Sequence, residues 1–190
     1  MRRYRSYLGV ALTILGLSFT ANGGYIHLKA NLAQYLIERA WNKNAEGSKH
    51  QPWPWADTTP LARLIFRRQG VAMIILDGAS GRNLAFGPTH YSGTPLPGTN
   101  GNTVITGHRD THFGLLSAAQ IGDLIEIETH QHKLSYRITE IGVVHESENH
   151  VLDDLGKNVL TLITCYPFNA IEPGTQWRYV VRATQNQHQV

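Results

Sequence analysis

Apolar and polar residues alternate along several short stretches of the chain, and a period of two residues predicts strands. The cleanest cases are Asp123-Leu-Ile-Glu-Ile-Glu128 and Lys133-Leu-Ser-Tyr-Arg-Ile-Thr-Glu-Ile141. Gln131 lies in the turn between them, so the two form a hairpin with one buried face. Arg63-Leu-Ile-Phe66 and Val71-Ala-Met-Ile-Ile-Leu76 are strands separated by Gln69-Gly70. Asn102-Thr-Val-Ile-Thr-Gly-His108 is a strand ending at a histidine, and Gln176-Trp-Arg-Tyr-Val-Val-Arg-Ala183 is the last strand. Val159-Leu-Thr-Leu-Ile-Thr-Cys165 is an apolar run bounded by turn signals, which reads as a buried strand. Pro167 cannot donate to a ladder, so that strand stops near Cys165. Val159, Thr161, Ile163 and Cys165 share one of its faces. A glycine- and proline-rich loop fills Gly78 to Gly101, and His145 to Lys157 is a polar loop carrying a short helical turn. The tail after Ala183 is polar and frayed. Short strands at close spacing, with glycine-rich turns, make the chain from Leu61 onward an all-β barrel or sandwich.

The N-terminal part has a different pattern. Tyr7 to Ala21 carries no charge, and the next charged residue is Lys29. That span is close to the roughly 20 residues that cross a bilayer. Arg2, Arg3 and Arg5 precede it, which predicts an uncleaved, single-pass signal anchor with its N-terminus in the cytoplasm. The β domain is then expected on the far side of the membrane. From His27 to Glu46, Leu28, Leu32, Tyr35 and Leu36 recur at helical spacing and predict an amphipathic helix, ended by Gly47 and Ser48. Gln51-Pro-Trp-Pro-Trp-Ala-Asp57 fits neither helix interior nor central strand. It reads as an extended strap whose indoles dock on the domain or sit at a membrane interface. The expected organisation is a basic tip and transmembrane anchor at 1–26, the helix and strap at 27–60, and a β domain at 61–190.

Composition sharpens this picture in two places. The net charge of +3 is matched by the three arginines ahead of the uncharged span, so the remainder is balanced. This leaves no basic face for nucleic acid and excludes that class. The single cysteine excludes an intramolecular disulfide.

A lone cysteine is most often a small buried hydrophobe. Cys165, however, ends a core strand and opens onto a loop, which is a good position for a nucleophile. His108 and Arg178 also stand near strand ends. A thiolate attacks carbonyls, an imidazole takes or gives the proton, and a guanidinium hydrogen-bonds the developing oxyanion. Together the three suffice for acyl transfer, although spacing alone does not bring them together. His108-Arg-Asp-Thr-His112 and the pair His130 and His132 invite a metal reading, but none matches a zinc signature. No metal and no cofactor is expected.

Thr161-Leu-Ile-Thr-Cys165 resembles the T-L-x-T-C signature of the sortases, the cysteine transpeptidases. Gly101-Asn-Thr-Val-Ile-Thr-Gly-His-Arg-Asp110 is similar to their G-N-x-x-x-x-G-H-R segment. Gly87-Pro-Thr-His90 and Thr94-Pro-Leu-Pro-Gly98 resemble the run upstream of it, with Thr89 and Thr94 in place of the more frequent glycine and alanine. Arg178-Tyr-Val-Val looks like the opening of their final strand. The resemblance covers about Leu61 to Ala183. The anchor and strap are most similar to the class GN sortases of Gram-negative bacteria.

This resemblance implies an eight-stranded β-barrel with short helices in its loops and a substrate groove. It implies Cys165 as nucleophile, His108 as acid/base partner and Arg178 as oxyanion and substrate stabiliser. His90, Thr164 and Asp110 become substrate-binding candidates. The implied substrate is a protein with a C-terminal sorting signal similar to L-P-x-T-G, whose acyl group passes through a thioester to an amine. The implied location is the inner membrane, with the catalytic domain facing the periplasm. A hydrolytic cysteine protease and a catalytically silent tethered binding domain are the competing readings. Leu96-Pro-Gly-Thr-Asn100 resembles a sorting signal itself, but it lies inside the family's structural loop and lacks the final glycine.

Overall fold

The computed structural model describes residues 2–44, 49–154, 156–172 and 174–186. The chain divides into two compact units, residues 1–36 and 37–190. A single helix, α1 (Arg2–Asn44), runs through the first unit and into the second. It joins the expected anchor and the expected amphipathic helix without a break. Its predicted end at Gly47 and Ser48 lies outside the described residues.

The expected transmembrane anchor is not supported by the structure. Among the described residues, no helix is long and apolar enough to cross a membrane. The physical reason lies in the sequence of α1. Gly9, Gly16, Asn22, Gly23, Gly24 and His27 interrupt its leucines and isoleucines. Thr13 and Thr20 turn their hydroxyls back onto the carbonyls of Gly9 and Gly16, each at 2.9 Å.

In the second unit, eight strands close into a barrel. They are β1 (Pro60–Phe66), β2 (Val71–Asp77), β3 (Thr89–His90), β4 (Asn102–Thr106), β5 (Leu124–Glu128), β6 (Lys133–His145), β7 (Val159–Tyr166) and β8 (Trp177–Gln185). The order around the barrel is β1-β2-β3-β4-β7-β8-β6-β5, with β5 returning to β1. Closure removes the free edges an open sheet would expose. The pairs β2–β3 and β4–β7 are parallel and the rest antiparallel. A short helix, α2 (Gly81–Leu84), and two single-turn 3-10 segments sit in the loops.

The barrel interior follows from the alternation. Ala62, Leu64, Phe66, Ile75, Ile105, Ile125, Ile127, Leu160, Leu162 and Val181 point inward and form one buried cluster, which Phe113 and Leu116 join from the segment between β4 and β5. Burying a side chain of this size contributes about 1.5–3 kcal/mol, so the interior dominates the energetics. On the outside, Ile37 and Trp41 of α1 pack on Ile74 and Leu76, with Trp53 and Phe86 beside them. Trp53 therefore docks on the domain as one of the strap's two indoles, while Trp55 is exposed.

The sequence pattern predicts too little strand at several points, β3 and β6 among them. β3 has only two residues, too few for any alternation to show. β6 runs four residues past Ile141 because its second half pairs with β8 rather than β5. That register carries the β6 end to the start of β8, opposite Arg178.

Candidate active site

The site sits where β4, β7 and β8 end together. On β7 the inward residues are Leu160 and Leu162, so Thr161, Ile163 and Cys165 face outward. Cys165 is a free, partly exposed thiol. On β8, Arg178 is its direct antiparallel partner, which places the two Cα atoms roughly 4.5–5.5 Å apart. On the other side, β4 runs parallel to β7 with Thr106 opposite Ile163. The pairing ends there, and the same register continued by two residues would bring the backbone of His108 level with Cys165. The register thus pairs Cys165 directly with Arg178 and leads the chain at His108 towards them.

Beyond the strand ends, the β4–β7 ladder is extended by two bonds. The Gly107 amide donates to the Ile163 carbonyl at 3.2 Å, and the buried Thr164 hydroxyl donates to the Gly107 carbonyl at 2.7 Å. Thr164 therefore fixes the backbone just before His108 and does not itself open onto the outer face. Gly107 is required by its neighbour. A Cβ there would lie 2.8 Å from two ring carbons of Phe113, which is fully buried. Gly107→Ala is expected to cost about 1–3 kcal/mol through overpacking and to displace His108. Thermal unfolding with acylation kinetics would show both losses; a variant matching the wild type would contradict this reading.

The residues after Cys165 are held by a group whose role the sequence alone did not show. Arg109 is 6% exposed. Its guanidinium donates to the carbonyls of Pro167 at 3.0 Å, Ala170 at 2.8 Å and Glu172 at 3.0 Å. The exposed Asp110 takes its Nε at 3.2 Å. Asp110 thus balances Arg109 in the turn after His108. The loop it helps to hold leads into an aromatic cluster. Tyr166 stacks on Tyr179 at 6.0 Å, and Phe168 meets Tyr179 edge-on at 5.0 Å. Burial, then the neighbouring Tyr166, raises the Tyr179 phenol above its ordinary value.

His90 takes a different place. It is 3% exposed, and its Nε2 lies 3.1 Å from the Pro95 carbonyl and 3.2 Å from the Thr94 hydroxyl. In the sheet it stands opposite Ile105, three residues before His108. That is about 10 Å along the strand. It anchors the loop between β3 and β4. The Gly-Asn pair opening β4 is similarly structural. Gly101 has φ +112, and the buried Asn102 amide donates to the carbonyls of Val151 at 3.0 Å and Asp153 at 3.1 Å. Its Oδ1 accepts the Thr161 hydroxyl at 2.7 Å.

Half-buried His112 stands close to His108. Burial, then the His108 charge, pushes its imidazole below the ordinary 6.5. The folded state therefore favours neutral His112. Its stabilising contribution is complete above pH 6.5 and is lost as pH falls through the lowered value, because the unfolded chain takes the proton first. The thermal midpoint is expected to fall as the pH is lowered below about 6.5, and His112→Asn to flatten that part of the curve. Superimposable pH profiles would count against it.

Comparison with known proteins converges on one family. The family profile described as the Sortase domain matches residues 65–186. The chain is 29% identical over 108 residues to Sortase D of Bacillus subtilis strain 168, covering 56% of this chain. It spans only 54% of that relative's length. The fold is similar to that of a Clostridium perfringens Sortase D5 transpeptidase, with TM-score 0.67 and 24% identity, over 82% of this chain and 99% of that one. It is also similar to sortase C1 from Streptococcus suis, with TM-score 0.62 and 26% identity, over 68% and 74% of the two chains. Sortase A from Corynebacterium diphtheriae gives TM-score 0.64 at 23% identity, over 83% and 85%. With the closed barrel and a profile match over more than half its length, this chain belongs to the sortase family.

Proposed function

We propose that this chain is a cysteine transpeptidase acting on a protein that carries a sorting signal similar to L-P-x-T-G. The reading is supported by the register of β4, β7 and β8, in which Cys165 pairs with Arg178 and β4 leads to His108 two residues past its last pair with β7. The Cys165 thiolate attacks the carbonyl carbon after the signal's Thr, and its oxygen becomes an oxyanion facing Arg178. The tetrahedral intermediate collapses and breaks the C–N bond. The His108 imidazolium gives its proton to the departing amine. The acyl group remains on Sγ as a thioester. An incoming amine then attacks the same carbon, His108 takes the amine's proton, an amide forms, and Cys165 leaves as the thiolate.

Proposed as well is that the domain works on the periplasmic side. The support is the position of Arg2, Arg3 and Arg5 ahead of an uncharged stretch. Protease access from outside the inner membrane tests it, and protection there would overturn it.

The choice of acceptor is tested by competition. A labelled L-P-x-T-G-like peptide is incubated with the full chain and rising concentrations of a primary amine. Transpeptidation predicts that an aminolysis product accumulates at the expense of free acid. Free acid alone, at every amine concentration, would favour the hydrolase. No turnover of any peptide would favour a silent binding domain.

A further inference from the structure

We infer that Glu146 is a positioning residue for Arg178, and through it for the chemistry at Cys165. This rests on the transpeptidase reading above. The observation is an ion pair that ties the loop after β6 to the start of β8. Glu146 Oε2 accepts from Arg178 Nη2 at 2.6 Å.

The loop is built to present that carboxylate. The last pairs of β6 and β8 set Val144 opposite Arg178 and His145 opposite Trp177. The Glu146 amide continues the ladder by donating to the Gln176 carbonyl at 2.8 Å. The chain then turns sharply: the Glu148 amide donates to the His145 carbonyl at 3.0 Å, and Glu148 Oε1 accepts the His145 amide at 3.1 Å. The His145 and Trp177 rings meet edge-on at 5.4 Å across the same junction. Glu146 is thus fixed at its backbone, beside the residue it pairs with.

The consequence for Arg178 is geometric. Its Nη1 donates to the Trp177 carbonyl at 3.0 Å and to the Thr175 carbonyl, and one Nη2 hydrogen goes to Glu146. A guanidinium carries five N–H donors in a rigid plane. Fixing three of them on one side orients the plane. It leaves the Nε hydrogen and the second Nη2 hydrogen for an oxyanion formed at the neighbouring Cys165. Without Glu146, the long side chain samples other rotamers. Both partners are partly exposed, at 28% and 46% of their side chains. Such pairs add little to fold stability, so the effect of losing the carboxylate falls on the rate rather than on the fold.

The test is single-turnover acylation of the full chain by an L-P-x-T-G-like peptide, read by intact mass. Glu146→Ala is expected to lower the maximal rate about ten- to a hundredfold, with the half-saturating peptide concentration and thermal midpoint little changed. Glu146→Asp recovers most of the rate. In an Arg178→Lys background, Glu146→Ala adds less than about twofold, since both act through one group. A Glu146→Ala variant at wild-type rate overturns the inference. So does one faster than wild type, which would make Glu146 a restraint. A loss carried in full into the Arg178→Lys background also overturns it. If Arg178→Lys itself acylates at the wild-type rate, the role of Arg178 in the transpeptidase reading fails instead, and this inference with it.

Discussion

Replacing His108 by alanine is expected to slow acylation of Cys165 about 10²- to 10⁴-fold while leaving the barrel folded. The fold is spared because His108 is exposed, in the loop after β4, and makes no part of the interior cluster. The rate is lost because a free thiol is mostly protonated near neutral pH, and in the proposed reaction the His108 imidazole exchanges its proton. The departing amine needs the same proton. The variant should therefore fail at both acylation and amine release. Single-turnover acylation and amine release, read by intact mass, check both losses. A His108→Ala variant with the wild-type rate would remove His108 from the mechanism.

Arg109→Ala is expected to have the largest effect on the fold around the site. One buried guanidinium satisfies three carbonyls of the segment that follows β7. Leaving a buried acceptor unpaired costs about 1–3 kcal/mol. Partial rehydration of the freed loop recovers some of this, so the expected total is roughly 2–5 kcal/mol. The thermal midpoint should fall by roughly 5–15 °C. The loop from Pro167 to Glu172 would become the first site of proteolytic cutting, and acylation would drop with it because Cys165 stands two residues before Pro167. Arg109→Lys should rescue only part, since a single ammonium cannot reproduce a planar fork bonded to three carbonyls. Equal stability of wild type and Arg109→Ala would show that the loop holds itself.

The two predictions mark what could be read in advance. The strand ending at Cys165 was legible because both its faces are buried along most of its length and a proline follows. His108 and Arg178 were legible as strand-end residues, but their meeting was not. It depends on a parallel pairing of β4 with β7 and an antiparallel pairing of β7 with β8, and alternation within a strand carries no information about its neighbours. Family resemblance supplied that link. Arg109 stood inside the quoted G-H-R segment, yet nothing local says that a cation after a strand will be buried under carbonyls contributed 58 to 63 residues later. Glu146 gave no signal, being one acidic residue in a polar loop. At His90 the motif suggested a site residue, but nothing local said that its imidazole would be buried against the Pro95 carbonyl and the Thr94 hydroxyl. The N-terminal stretch was legible in its charge, with none between Arg5 and Lys29, but the absence of charged residues does not by itself make a helix apolar.

In the proposed reaction Cys165 carries the acyl group of a sorting-signal peptide. This is tested most directly by mixing the full chain with an L-P-x-T-G-like peptide, quenching in acid and measuring the intact mass. The expected result is an adduct equal to the peptide cut after Thr, located on Cys165, labile to hydroxylamine and absent from Cys165→Ala. Cleavage of the peptide by Cys165→Ala at the wild-type rate, or an adduct on any other residue, would contradict it.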